Sequence, residues 1–396
     1  MVILSCKNCR YANSISEVLN EPMDLLNSKM SADGRQLPHL FLYRGQEKRY
    51  SNTKYLASLY RQKNKVEEYT LTSEYMRICN LNSLDNNFSR LSYMQHFGLP
   101  TRLLDVTSNI LVALYFACLS SDDDGIIDVF LTNKEQPVGI SKNQFCYYNS
   151  IDNDTVEILS TLALMSGDIK SNIYYRIHNF KKKVEKTFSS ISNDSSDSND
   201  SNDSSDSNDI EMIGKYYNFF YCLKRQYMIS NQNISFERYI NNPIFSYCGD
   251  KEFYKALITV SDAYDELNYS EQVQSLYSSI SKDIGYFPRV IDFLGLLHPF
   301  FVRPNINNPR INAQSGYFLF EPYEYTNYES TEKLSKINYD IEKRLVLKNL
   351  SITIPSCKKK SILKDLDIKC GINRATLFPD SENIAKYVSD DFLANY

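Results

Sequence analysis

The sequence predicts an α+β fold in which a mixed sheet packs against helices and a helical insertion interrupts the core. Short apolar segments bounded by turn residues alternate irregularly with segments of helical periodicity, which does not fit a regular βαβ repeat. With 396 residues, 42% of them hydrophobic, the chain can bury a large core without disulfides or metal ions. We expect one core assembled from both halves of the chain.

The composition argues against several classes of protein. The 44 Lys and Arg residues against 48 Asp and Glu residues give a net charge of −4, so no broad basic field favours nucleic acid or an anionic membrane. No uncharged apolar window of about 18 residues occurs that could cross a bilayer. The nine cysteines are scattered, and the CxxC of Cys6 and Cys9 has no second pair, which favours reduced thiols in the cytoplasm.

The first third of the chain predicts a strand followed by helices. Residues 37–45 form a short apolar segment that ends on an arginine and a turn glycine, as expected for a strand. The segment 55–80 is predicted to be mainly helical. Residues 87–97 carry apolar side chains at three- and four-residue spacing, so we expect a helix that ends at Gly98, with Pro100 preventing its continuation.

The next elements are an apolar helix, a strand and a polar linker. The run TSNILVALYFACLSS predicts a buried helix with Thr107 or Ser108 as its N-cap, and residues 125–133 predict a strand. Residues 192–209 contain only Ser, Asn and Asp. Because such a segment buries no apolar surface and its charges repel, we expect a mobile linker or insertion there.

The remainder of the chain predicts helices and then a return to strands. Residues 211–283 are expected to be mainly helical, and Gly316 precedes a strand of alternating aromatic residues. From residue 345 the pattern predicts a strand, a helix, a glycine-capped turn and a helix. The predicted parts are an N-terminal extension (1–36), a first part of the core (37–150), a mainly helical insertion containing the linker (151–283), and a last part of the core with C-terminal helices (284–396).

A dense polar cluster lies between the two predicted apolar helices of the first part. Its hydrogen-bonding side chains are Gln95, His96, Thr101, Arg102 and Asp105. Arg102 and Asp105 are three residues apart and able to pair, and Asp105 would lie near a helix N-terminus whose dipole favours its charge. Two interpretations stay open: a buried network that fixes two helices, or the wall of a polar pocket for an anionic or ribose-bearing ligand.

The sequence signatures of several other sites are absent. No GxxxxGK[ST], GxGxxG or GxSxG occurs, so a P-loop, a Rossmann turn and a nucleophile elbow have no support. The four histidines have no ligand-like spacing, so we expect no metal centre.

Three segments of the chain together resemble the FRG domain family. They are FLYRGQ at 41–46, LSYMQHFGLPTRLLDVTSNILVALYFAC at 91–118 and RINAQSGYF at 310–318. The family is named for a Phe-Arg-Gly triplet, which is Tyr43-Arg44-Gly45 here, and its central signature resembles QHxGxPTRLLDWT. Val106 stands where tryptophan is usual. The resemblance covers residues 37–390, with the Ser/Asn/Asp segment as an insertion.

The order of elements in this family resembles that of ADP-ribosyltransferase-like domains, in which an early strand arginine contacts the phosphate or ribose of a dinucleotide. The resemblance therefore implies that Arg44, beside Gly45, binds phosphate through its planar guanidinium and that NAD is the substrate. Gln314 would orient a ribose hydroxyl or the acceptor. The residues that would complete the nucleotide site are Gln95, Thr101, Arg102 and Asp105.

The identity of a catalytic base stays open at this point. Transferases of this type usually need a glutamate, and Gln314 cannot act as a base near neutral pH. Glu321 and Glu324 are alternatives, although both also fit solvated surface charges. His96, whose ordinary pKa suits proton transfer, and Asp105 are the alternatives from the polar cluster.

The resemblance thus implies a cytoplasmic, NAD-directed enzyme, either ADP-ribosyltransferase-like or NAD-cleaving, that acts as a bacterial toxin or in anti-phage defence. Its ligand would be a nucleotide-like small molecule, and a protein is a further candidate target. The alternative is a non-catalytic module in which Arg44, Arg102 and Gln314 hold a nucleotide or a protein segment as a sensor. A third interpretation is a packing network, with the binding surface elsewhere.

Overall fold

A computed structural model describes residues 10–20, 39–50, 53–62, 66–81, 84, 86–119, 122–133, 154–194, 205–230, 234–241, 251–285, 287–304, 308–323, 335, 337, 339, 341–342 and 351–392. The strands are β1 (Arg10–Tyr11), β2 (His39–Gln46), β3 (Leu103–Thr107), β4 (Gly125–Asn133), β5 (Phe300–Val302), β6 (Gly316–Phe320) and β7 (Ile352–Ile354). The α-helices before the Ser/Asn/Asp segment, or running into it, are α1 (Glu68–Cys79), α2 (Asn87–His96), α3 (Ile110–Cys118), α4 (Asp154–Ala163) and α5 (Gly167–Asp194). The later ones are α6 (Ser205–Ile229), α7 (Phe236–Ile240), α8 (Lys251–Asn268), α9 (Glu271–Ile280), α10 (Pro309–Ala313), α11 (Ser356–Cys370), α12 (Arg374–Leu377) and α13 (Ser381–Lys386).

All seven strands form one sheet, in the order β1-β7-β4-β2-β3-β6-β5. β1 and β7 are parallel, and the other neighbouring pairs are antiparallel. β6 and β7, which come late in the chain, therefore pair with β1, β3 and β4, which come early. The predicted α+β class, with a mixed sheet built from both halves of the chain, is confirmed.

The sheet consists of two halves that are joined at a single point. β2 pairs with β4 along its whole length of 8 residues, and β3 pairs with β6 along its whole length of 5. Between β2 and β3, by contrast, the ladder contains only the pair Tyr43–Thr107. We refer to β1-β7-β4-β2 and β3-β6-β5 as the two half-sheets.

Helix α3 covers one face of the first half-sheet and requires a glycine beneath it. Nine consecutive apolar residues form α3, and Asn109 caps it by accepting a hydrogen bond from the Leu111 N–H. A Cβ on Gly45 in β2 would overlap the main-chain carbonyl of Ala113 in α3. Gly45 is therefore a packing residue, because it allows strand and helix to approach closely.

The N-cap predicted for α3 is wrong by one or two residues. Asn109 caps the helix, whereas Thr107 still belongs to β3 and pairs with Gly316 of β6. The segment before α3 is a strand because the second half-sheet supplies main-chain partners that the sequence pattern does not reveal.

Helices α4 to α9 form a helical unit that packs on the second half-sheet through Phe300, Phe318 and Phe320. α5 extends to Asp194 and α6 begins at Ser205, so both ends of the predicted 192–209 linker are helical. Extending an existing helix costs little, because each added residue gains a main-chain hydrogen bond without a new nucleation step. Residues 195–204 of this prediction lie outside the described residues. No described helix is long and apolar enough to cross a membrane.

A buried ion triad connects the sheet to the helices. Arg102 Nε lies 2.8 Å from Glu68 Oε1, and Lys170 Nζ lies 2.8 Å from Glu68 Oε2, with all three side chains completely buried. Arg102 Nη2 also donates to the Leu159 carbonyl at 3.1 Å. Burial alone would raise the pKa of Glu68, but the two cations and their hydrogen bonds lower it overall.

We expect Glu68→Gln to reduce the free energy of unfolding by about 3–5 kcal/mol, because it leaves two buried cations without their counterion. Urea unfolding at pH 7 measures this effect. Glu74→Gln is the matched control, since Glu74 lies on the same helix in an exposed pair with Arg77, and its midpoint should not move. If Glu68→Gln and Glu74→Gln unfold at the same urea concentration, the ion triad does not stabilise the fold.

We expect Gly45→Ala to destabilise the fold by about 1–3 kcal/mol, because the new methyl group must displace α3 from β2. Gly214→Ala in α6 is the control, since a Cβ there meets no atom within 4 Å. It should leave stability unchanged or raise it by up to about 1 kcal/mol. Thermal unfolding, monitored by circular dichroism, compares the two variants. If Gly45→Ala does not lower the unfolding temperature, the close contact between β2 and α3 is refuted.

Candidate ligand-binding and active site

Asp105 is an exposed carboxylate in the middle of β3, between the buried residues Leu104 and Val106. Gln95, near the end of α2, donates from Nε2 to Asp105 Oδ2 at 2.8 Å. The prediction that Asp105 lies near a helix N-terminus is wrong, because this segment is a strand. The carboxylate is held by a side-chain amide instead.

A chain of hydrogen bonds fixes the orientation of that amide. The Leu103 N–H donates to Thr101 Oγ1 at 3.1 Å, and Thr101 Oγ1 donates to Gln95 Oε1 at 2.7 Å. The carbonyl side of Gln95 is therefore occupied, and its NH₂ group must face Asp105. Thr101 is completely buried. Both residues were predicted to bind ligand, and in the structure they position Asp105.

Arg44 lies at the point where the two half-sheets separate. Its Nη1 donates to the Asp105 carbonyl at 2.8 Å. Because the β2–β3 ladder stops at Tyr43–Thr107, this side chain takes the place of a main-chain donor from β2. The Arg44 Nε is buried and has no hydrogen-bond partner among the described residues.

Burial lowers the pKa of Arg44, Asp105 raises it and Arg61 lowers it further. Arginine nevertheless keeps its charge at neutral pH because its ordinary pKa is so high. The Nε of Arg44 is thus a buried donor of a charged group, without a hydrogen-bond partner among the described residues.

His96 and Arg310 lie beside Asp105. Arg310 Nη1 donates to the His96 carbonyl at 3.2 Å, and its guanidinium lies 4.5 Å from the ring centroid of Phe378. Burial and the positive charge of Arg310 lower the pKa of His96 from 6.5, while Asp380 and Asp105 act in the opposite direction. The imidazole is therefore neutral at pH 7 and able to accept a proton.

The side-chain amide of Gln314 already has a partner. Its Nε2 donates to the Leu377 carbonyl at 3.0 Å, and the Gln314 main-chain carbonyl accepts from Thr107 Oγ1 at 2.7 Å. In the part of the chain that the structure describes, the side chain of Gln314 therefore connects the end of α10 to α12. Its predicted action on a ribose hydroxyl stays a prediction and would require this hydrogen bond to break.

Glu321 is completely buried, so its interpretation as a solvated surface charge is wrong. Neither carboxylate oxygen forms a well-aligned hydrogen bond with a described residue. Burial raises its pKa well above the usual range, against the opposing effects of the Ala57 amide and of Arg44. Glu324, the other glutamate considered, lies outside the described residues.

The predicted pairing of Arg102 with Asp105 is wrong. Residues three apart on an extended chain point to opposite faces, whereas on a helix they share one face. The guanidinium of Arg102 accordingly faces the helical unit, bonded to Glu68 and 5.6 Å from the ring centroid of Phe320. The polar segment around Glu68 gave no sequence signal that this residue is buried.

Comparisons with known proteins match only part of the chain. Among the described residues, no three His, Cys, Asp or Glu side chains are grouped to bind a metal ion. No curated protein and no solved structure matches the chain. The FRG domain model matches residues 39–125, from the start of β2 to the start of β4, and so includes Arg44 and Asp105. Over these residues the chain is similar to the FRG domain family, and the 310–318 motif lies outside the match.

Proposed function

We propose that the FRG domain binds NAD and that Asp105 acts on the ribose that carries the nicotinamide. The observation that carries this proposal is the constrained, exposed carboxylate of Asp105. Its side chain is held by Gln95, and its main chain is held by Arg44. A carboxylate kept in one orientation and reachable by a ligand is suited to stabilising positive charge in a transition state once the bound ligand excludes water from it.

Arg44 supplies the anion-binding part of the proposed site. One edge of its guanidinium is occupied by the Asp105 carbonyl, and the buried Nε has no partner among the described residues. A guanidinium can bind the oxygens of a phosphate group in bidentate fashion, and here this would require Nε to become accessible to the ligand. The phosphate of the ligand would then lie next to Asp105, at the separation of the two half-sheets.

The proposed reaction begins with cleavage of the C1′–N bond between the ribose and nicotinamide. The electron pair of that bond leaves with nicotinamide, and Asp105 stabilises the positive charge that develops on the ribosyl group. Water, or a nucleophilic side chain of a protein target, forms the new bond to C1′. His96, neutral at pH 7, accepts the proton released by this nucleophile.

Attack by water makes the chain an NAD-cleaving enzyme, and attack by a protein side chain makes it an ADP-ribosyltransferase. Either outcome consumes NAD or modifies a protein in the cell that contains the enzyme. This chemistry would suit a toxin or an anti-phage defence effector.

A non-catalytic nucleotide-binding module is the second candidate function. It is favoured by the environments of Gln314, whose amide bonds to Leu377, and of Glu321, which is buried. Two of the residues considered as catalytic, Gln314 and Glu321, are thus unavailable without rearrangement. Binding of nucleotide through Arg44, with no turnover, would then serve as a sensor.

We expect the full-length chain to release nicotinamide from NAD and Asp105→Asn to lower kcat about 100-fold, because the variant removes the charge that stabilises the ribosyl cation. Arg44→Gln should mainly raise KM, by about tenfold or more, through the loss of a charged donor to phosphate. Chromatographic measurement of the nicotinamide released at several NAD concentrations gives kcat and KM for both variants.

Asp262→Asn, an exposed site on α8, is the matched control and should retain full activity. Binding of ADP-ribose by calorimetry distinguishes the two candidate functions. Binding without nicotinamide release supports the module and rejects the enzyme. Absence of both binding and release from a folded wild-type chain rejects both.

A further inference from the structure

The end of helix α2 leaves one main-chain carbonyl for a partner from another part of the chain. The last carbonyls of a helix have no partner within it. Those of Tyr93, Met94 and Gln95 accept from the main-chain N–H groups that follow the helix, at 2.9 to 3.1 Å. The carbonyl of His96 accepts from Arg310 Nη1 at 3.2 Å. Arg310 therefore completes the end of the helix that carries His96.

Arg310 is itself held by an aromatic ring of the C-terminal part. Its guanidinium lies 4.5 Å from the ring centroid of Phe378, which directly follows α12. Phe378 packs in turn on Phe116 of α3, with 6.1 Å between the ring centroids. A guanidinium is attracted to the face of an aromatic ring, and its planar shape matches that face. The orientation of the donor to His96 is therefore fixed by packing.

The charged groups that face the imidazole come from three elements. Arg310 belongs to α10, Asp105 to β3, and Asp380 is the N-cap of α13. Asp105 accepts from Gln95 Nε2 at 2.8 Å, and Asp380 accepts from a main-chain N–H of its own helix at 3.0 Å. Burial lowers the pKa of the imidazole and Arg310 lowers it further, whereas the two carboxylates raise it.

We infer that Arg310 is a positioning residue for His96, because its guanidinium, stacked on Phe378, holds the end of α2 that carries the imidazole. The inference deepens the proposed function and rests on it for the reaction in which His96 accepts a proton. Arg310 and Phe378 lie outside residues 39–125, where the family model matches. The C-terminal part of the chain therefore completes the site.

Histidine NMR on the full chain tests the charge of Arg310 without any substrate. The ring signals of His96, assigned by comparison with His96→Gln, are titrated with pH. Arg310→Gln removes a positive charge and should move the titration midpoint of His96 to higher pH. Arg310→Lys keeps the charge and should leave the midpoint unchanged. Arg303→Gln is the matched control, since Arg303 is exposed and also lies over a ring, 5.9 Å from the centroid of Tyr317.

Hydrogen exchange of the amides after α2 measures how firmly the end of the helix is held. Arg310→Gln should speed exchange at Gly98 and Leu99 about tenfold or more, through the loss of one hydrogen bond from a charged donor. Phe378→Leu keeps the charge and removes the ring face, so exchange there should be about two- to fivefold faster. Arg303→Gln should leave exchange at these amides unchanged.

Kinetics of nicotinamide release provide the third measurement. Arg310→Gln should lower kcat about tenfold and leave KM within about twofold, because the base is displaced while contacts to the ligand remain. The acid side of the pH–rate profile should move to higher pH, as the midpoint of His96 does. Arg310→Lys should restore the position of that profile.

The outcomes separate this inference from the proposed function. If Arg310→Gln moves the midpoint and speeds exchange while the wild type releases no nicotinamide, Arg310 positions His96 and the NAD-cleaving reaction fails. If the wild type is active and Arg310→Gln matches Arg303→Gln in all three measurements, the inference is refuted and the proposed function stands. A moved midpoint with unchanged exchange also refutes it, because Arg310 then acts only through its charge. Phe378→Leu carries the exchange test if Arg310→Gln does not fold, and unchanged exchange in a folded Phe378→Leu then refutes the inference.

Discussion

The candidate site depends on how little of β2 is joined to β3. Their ladder contains one residue pair, Tyr43–Thr107, so the main chain of β3 has an unfilled acceptor immediately beyond it. Arg44 supplies a donor to this carbonyl from its side chain. The guanidinium therefore lies where the ladder between the two half-sheets ends. One hydrogen bond thus joins the two half-sheets and fixes the position of the Arg44 charge.

The alternation of side chains along β3 gives neighbouring residues different functions. Asp105 faces solvent between two buried neighbours, while Arg102, three positions earlier, faces the helical unit and Glu68. A helix would have placed both charges on one face and let them neutralise each other. The strand instead leaves the Asp105 carboxylate free to accept from Gln95 and exposed to solvent.

Much of the fold could be predicted from local patterns, and most of the errors concern partners distant in sequence. The helix ending near Gly98 and the strand at 125–133 follow from periodicity and turn residues, and both are present. The strand character of residues 103–107 depends on pairing with β6, more than 200 positions away. The same holds for the burial of Arg102, because its counterion Glu68 lies in a polar segment without apolar periodicity.

The two residues just before β3 also constrain the site. Thr101 is fixed on one side by Ser58 and Gln95, and Arg102 is fixed on the other by Glu68 of α1 and the α4 carbonyl of Leu159. An unpaired Arg102 would be a buried charge of high energetic cost, so loss of its partners would displace the start of β3. The position of Asp105, in the middle of β3, thus depends in part on Glu68 and Leu159, to which Asp105 itself is not bonded.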